Sequence, residues 1–387
     1  MTASNPSTTP PSPRLILLLA AACGLTVANI YYAQPLAGPI GAALGLPDTA
    51  TGLIVTLTQL GYGLGLLLAV PLGDRVENRR LTLALLALAA TALALAGAAG
   101  QAPVFLAASL GIGLGSVAAQ VLLPYAAHLA PPQMRGRAVG SVMSGLMLGV
   151  MLARPLASLL AQAGSWRLVF GLSAAAMLLL AAVLSRALPE RRPAAQLRYG
   201  ALLLSMAALW RHTPMLRRRA LYHAGMFAAF SLFWTTAPLL LAGPAFGLSQ
   251  GGLALFGLAG AAGPVAGCVA DRGWTRPATA LAMLAAAAAF APGLLPGAPA
   301  LPLLVAAALL LDFAVAFNVT LGLRAIFVLG AEHRSRLNGL YLTTFFLGGA
   351  LGSALGGWAY ARGGWPWAAG LGCALPLLAL AYWATEG

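Results

Sequence analysis

Pro71-Leu72-Gly73-Asp74-Arg75-Val76-Glu77-Asn78-Arg79-Arg80 is a short charged turn between two long apolar runs. Five of these ten residues carry charge, in a chain where charged residues make up only 8%. The flanking runs, 49–72 and 81–99, each meet the ~20 apolar residues that a membrane helix requires. A turn of this kind marks a place where the chain reaches a bilayer surface and goes back in.

The same alternation continues outward in both directions. The 387 residues are 60% apolar, and the mean hydropathy is +0.87. A soluble chain of this length needs far more polar surface. The expected class is an all-α, polytopic membrane protein with twelve spans. In the first half these are 15–36 (extending toward 44), 49–72, 81–99, 102–129, a fifth from the 131–137 turn to 162, and 166–188. In the second they are 216–242, 249–270, 277–295, 301–328, 337–360 and 365–383. Residues 1–13, rich in Ser, Thr and Pro, read as a disordered cytoplasmic tail. Residues 14–188 form one six-helix half, 189–215 a cytoplasmic linker, and 216–387 the other half. The arginine-rich stretch 189–219 holds an expected amphipathic helix, from Leu197 to Trp210, lying on the anionic leaflet.

The net charge of +14 invites a nucleic-acid reading, which placement excludes. All 22 basic residues are arginine. With the amino terminus inside, only Arg154, Arg167 and Arg362 fall away from the inner side. That asymmetry puts both termini in the cytoplasm and makes the span count even. Cys23, Cys268 and Cys373 lie in separate apolar runs at no metal-binding spacing and read as packing residues. No nucleotide-binding glycine loop, metal cluster or nucleophile-base pair is present, so neither cofactor nor enzymatic activity is expected.

An internal repeat supports two equivalent halves. Arg135-x-Arg137-x-x-Gly140 recurs as Arg334-x-Arg336-x-x-Gly339, and Gly164-x-Trp166 as Gly363-x-Trp365, both shifted by 199 positions. Asp74-Arg75 recurs as Asp271-Arg272, shifted by 197.

Seven of the eight acidic residues lie in loops, tails or span ends. Asp312 alone sits well inside a span. A charge at that depth costs several kcal/mol, so an intramembrane acid is a functional candidate by default, here for proton coupling. Arg154 is the other intramembrane charge, a site for an anion or a counterion to Asp312. Polar and aromatic side chains that could line a central cavity are Asn29, Tyr32 and Gln34 in the first span, Gln59 and Tyr62 in the second, and Gln120 and Tyr125 in the fourth. The seventh adds a stripe of His223, Phe227, Phe230 and Trp234, the tenth Asn318 and the eleventh Tyr341. Together they describe an amphiphilic cavity.

The turn that opens this section resembles the signature loop of the major facilitator superfamily, a Gly-x-x-x-Asp-Arg-x-x-x-Arg pattern between the second and third membrane helices. The matching positions are Gly73, Asp74, Arg75, Arg79 and Arg80, with Asn78 where that family usually has Gly. The resemblance implies two pseudo-symmetric six-helix halves that rock about a midplane site. It also implies a cytoplasmic latch formed by Gly73, Asp74, Arg75, Arg79 and Arg80 and echoed at Asp271 and Arg272. Gly145-x-x-x-Gly149-x-x-x-x-Arg154-Pro155 resembles the fifth-helix motif of the drug:proton antiporters, with Arg154 where a Gly precedes the Pro. Asn29 to Pro35 resembles their proline-containing first helix. Their fourth-helix Arg is absent from residues 106–111, so coupling rests on Asp312. The resemblance therefore implies a monomeric transporter of the bacterial inner membrane. It would export small amphiphilic organic compounds in exchange for protons and have no nucleic-acid partner. The alternative is a carrier of small organic anions recognised by Arg154.

Overall fold

The computed structural model describes residues 12–191, 198–258, 274–295, 297, 299–329 and 334–386. Within these, backbone polar groups are satisfied almost entirely inside helices, as a bilayer demands. The first span is broken into α1 (Pro13–Ala28) and α2 (Ala33–Leu44), separated by turn residues 29–32. Then come α3 (Leu53–Leu68), α4 (Asn78–Ala98), α5 (Ala102–Ser116), α6 (Ala118–Leu129), α7 (Arg135–Ala163) and α8 (Trp166–Ala187). The surface helix α9 (Tyr199–His212) leads into α10 (Pro214–Ala242), α11 (Gln250–Leu258), α12 (Thr275–Ala288), α13 (Leu301–Phe327) and α14 (Arg334–Ala384).

Among the described residues, ten helical segments are long and apolar enough to cross a membrane. The last of them is two helices, because Gly363 and Gly364 leave the helical region and Gly364 adopts φ +63°. The expected span 249–270 begins as α11, and its remainder lies outside the described residues. So do the tail 1–11, the linker residues 192–197, Cys268, Asp271 and Arg272. The linker helix forms two residues later than its sequence suggests.

Small residues set the packing. Gly24 of α1 lies against Gly145 and Gly149 of α7, so the fifth-span glycines serve contact with the first span. In the second half, Gly348, Gly352 and Gly356 of α14 face Ala224, Ala228 and Leu232 of α10. A Cβ on Gly352 would land on the Ala228 carbonyl oxygen. Without a hydrophobic driving force between helices in lipid, such close backbone approach is the main source of attraction.

The halves meet along α3 against α14, α2 against α10, and α7 against α11. At the end away from the arginine clusters, Thr56 Oγ1 lies 2.7 Å from Ser353 Oγ and donates to the Ala350 carbonyl at 3.2 Å. At the arginine-rich end, α9 touches both halves. Tyr199 donates its hydroxyl to the Leu68 carbonyl at 2.8 Å, and Arg336 donates to Ser205 Oγ at 2.9 Å. Met206 of α9 is buried against Leu216, Ile326 and Leu337.

Candidate functional site: a carboxylate, an indole and a guanidinium

Asp312 is the twelfth residue of the 27-residue α13, roughly 17 Å from its start at 1.5 Å per residue. It is 7% exposed. Its Oδ1 accepts the indole N–H of Trp234 from α10 at 2.8 Å. The ring of the same Trp234 lies under the guanidinium of Arg154, 4.1 Å from its Cζ. Phe230 and Tyr31 stand at 5.1 and 5.4 Å from that Cζ. Tyr31 reaches this place because the first span is interrupted beside it. Arg154 and Asp312 do not come within 4.0 Å of each other, whereas Arg80 and Glu77 do, at 3.9 Å.

Arg154 Nε donates to Gln34 Oε1 at 2.7 Å. Its Nη2 and the Nε2 of Gln34 are buried with no partner. Burying a guanidinium costs several kcal/mol. Cation–π contact returns about 2 kcal/mol when desolvated, and a hydrogen bond to a charged group about 1.5–3. The fit is therefore favourable on one side of the guanidinium and incomplete on the other.

Two further groups join the halves. Gln59 Nε2 donates to Ser231 Oγ at 2.8 Å, linking α3 to α10. Tyr62 receives the Gln120 amide at 3.1 Å and packs its ring 4.4 Å from Phe346 of α14. His223, Asn318 and Tyr341 come together as a third group within the second half. Asn318 Nδ2 donates to His223 Nδ1 at 3.0 Å, and the imidazole stacks on Phe345 at 4.5 Å and on Tyr341 at 5.5 Å. Phe227 stacks on Phe345 at 3.6 Å, between this group and Trp234. Asn29 is buried in the first-span break and donates to Met177 Sδ at 3.4 Å, while Tyr32 is half-buried beside it. Tyr125 stands apart from the rest, its hydroxyl on the Pro189 carbonyl at 2.6 Å.

The charged turn is built around residues that its sequence pattern does not emphasise. Glu77 caps α4, accepting from the backbone N–H groups of Arg79 and Arg80 at 2.8 Å each and of Arg191 at 3.3 Å. Burial pushes its carboxyl up, but the three N–H groups outweigh this and hold it below the usual range. Asn78 donates to the Gly73 carbonyl at 2.9 Å and receives Arg191 Nη1 at 2.9 Å. Arg79 reaches the Ser185 carbonyl, Arg80 lies 3.9 Å from Glu77, and Arg75 is exposed. Asp74 sits in the field of Arg191 and, from the second half, of Arg336. The only sequence signal for the Asn78–Arg191 bond was the Asn where the family pattern has Gly.

The family description "Major Facilitator Superfamily" matches residues 16–296 and 253–386. "Uncharacterized transporter YgaY" of Escherichia coli is 39% identical over 96% of this chain and 95% of that protein. "Probable transporter SCO4007" of Streptomyces coelicolor is 37% identical over 91% and 83%. The fold resembles an inward-facing, occupied crystal structure of a bacterial homolog of the human lysosomal transporter Spinster. Its TM-score is 0.78 at 16% identity, over 99% of this chain and 97% of that one.

Proposed function

This chain belongs to the major facilitator superfamily and is a multi-pass membrane transporter rather than an enzyme; from that premise we propose that it couples the movement of small amphiphilic organic compounds to protons. Cargo leaves the cell in exchange for protons, by alternating access about the site at Asp312, Trp234 and Arg154. The arginine-rich end faces the cytoplasm across the bacterial inner membrane, with both termini on that side. The observation that carries this reading is a buried carboxylate outside ion-pair reach of the nearby guanidinium and anchored by a neutral indole N–H. An acid in this position is free to gain and lose a proton as the halves rock, which a permanently paired one is not.

The charged turn is the latch of this cycle. Asp74 lies in the field of Arg336 from the opposite half, so the attraction between them is made and broken as the arginine-rich end closes and opens. The test is transport in proteoliposomes under an imposed pH gradient. Asp312→Asn abolishes gradient-driven movement while substrate binding persists. Undiminished gradient-driven transport in that variant refutes the assignment.

A second reading, transport of small organic anions, is favoured by the unpartnered Nη2 of Arg154.

A further inference from the structure

Among the buried donors with nothing to donate to are Nη2 of Arg154 and Nε2 of Gln34. Their residues are 3% and 0% exposed. They belong to one assembly, because Arg154 Nε donates to Gln34 Oε1 at 2.7 Å. That bond uses the acceptor end of the Gln34 amide and leaves its NH₂ end free beside the guanidinium. A guanidinium N–H and an amide N–H in one desolvated setting can each donate to an oxygen of a carboxylate. The walls around it are rings of Tyr31, Phe230 and Trp234.

Charge bookkeeping then ties the anion to the proton. The site's own side chains are one guanidinium and one carboxylate, a net charge of zero. A cargo carboxylate makes it negative unless Asp312 takes up a proton, and uncompensated charge at this depth is costly. Tyr31 faces the site from the first span, and Arg154 is the charged side chain that acts on Asp312 among the described residues. Other ionisable groups on the packed helices sit further off. His223 is engaged by Asn318, and Tyr341 stacks on that imidazole. Arg219 bonds Thr279, and Arg276 of α12 reaches the Glu386 carbonyl at the arginine-rich end.

We infer that the cargo is a planar or aromatic monocarboxylate held by Arg154 and Gln34, and that it crosses together with a proton on Asp312. The inference rests on the organic-anion reading and fixes the sign of its linkage. A neutral or cationic cargo competes with the proton, whereas an anionic one binds with it. The two affinities must strengthen each other by the same factor.

The experiment measures binding of benzoate, with benzamide as its neutral isostere, to the purified full chain by calorimetry. Benzoate affinity rises at least tenfold as the pH falls from about 8 to about 6, and benzamide affinity does not change. Asp312→Asn binds benzoate tightly and without pH dependence. Arg154→Gln and Gln34→Leu each weaken benzoate at least tenfold, and cooperative thermal unfolding of each purified variant reports that it folds. Benzoate binding that weakens with acid, that is absent from the unmodified protein, or that survives both substitutions overturns the inference. Proton coupling is judged separately by gradient-driven transport in Asp312→Asn, so the carboxylate site can fail while proton coupling stands.

Discussion

Asp312 and Arg154 are joined through Trp234 rather than to each other. The carboxylate takes the edge of the indole through a 2.8 Å hydrogen bond, and the guanidinium takes its face at 4.1 Å. A direct ion pair in this medium would be hard to break, because either partner left alone costs about 3–5 kcal/mol. With the indole between them, each charge is supported by a neutral group. The protonation of one and the occupancy of the other can then change during a cycle.

Trp234 is therefore the residue whose removal separates packing from anchoring. Trp234→Phe keeps a ring beneath Arg154 but deletes the donor to Asp312, at an expected cost of about 1–3 kcal/mol. Trp234→Ala loses both and costs more. Thermal unfolding in detergent should rank the three proteins in that order, and equal melting temperatures for all three would remove the indole from the argument.

The acid response of the charged turn follows from Glu77, whose carboxyl lies below its usual range in the folded protein. A group with a lowered folded value contributes its stability above the unfolded value of about 4.5, and loses it as the pH falls through the folded value. Glu77→Gln is thus destabilised at neutral pH, by about 0.5–2 kcal/mol on the scale of other helix caps. The gap between variant and parent should close only in acid, below the ordinary carboxylate range. Melting curves across pH check this, and a gap that widens in acid contradicts it.

Close helix approach makes a sharp contrast between two glycines. Gly352 faces the backbone of Ala228, whereas a side chain at Gly171 would point into open space. Gly352→Ala should destabilise by about 1–3 kcal/mol through overpacking. Gly171→Ala should be neutral or gain up to about 1 kcal/mol from helix propensity. Expression level and melting temperature of the two variants decide the point.

Rocking of the halves can be arrested where they touch. Thr56 and Ser353 place their hydroxyl oxygens 2.7 Å apart on α3 and α14. In a background lacking Cys23, Cys268 and Cys373, the pair Thr56→Cys and Ser353→Cys should cross-link on oxidation and stop transport, with recovery on reduction. Transport that continues in the fully cross-linked protein would show that this contact never opens.

The periodic apolar runs and the repeat made the spans legible in sequence, because burial in lipid imposes one pattern on all of them. Asp312 and Arg154 were equally plain, since charges in apolar runs have no routine explanation. Their mediator was visible only as a member of an aromatic stripe. The sequence points to Tyr32 in the first span, whereas the ring that lies against Arg154 is that of Tyr31. The helical phase fails at residues 29–32, so face assignments that assume an unbroken helix point to the wrong neighbour there. Tyr125 stands among the polar and aromatic candidates of the fourth span, and its hydroxyl bonds the Pro189 carbonyl of the linker, a contact over 64 residues that no local pattern encodes. Glu77 read as one more surface charge because its partners are backbone N–H groups, which every residue but proline carries.

The surface helix α9 is hydrogen-bonded to both halves, by Tyr199 to Leu68 and by Ser205 to Arg336, and Met206 packs it further against the second half. A hydrogen bond contributes about 0.5–3 kcal/mol net, so the Tyr199 side, without the Met206 packing, is the weaker hold. Any stroke longer than the slack between them must rupture one, and whichever yields first decides which half carries the helix along. If the halves rock as proposed, the connector would act as a ratchet pawl that limits the amplitude of the swing without touching what is carried.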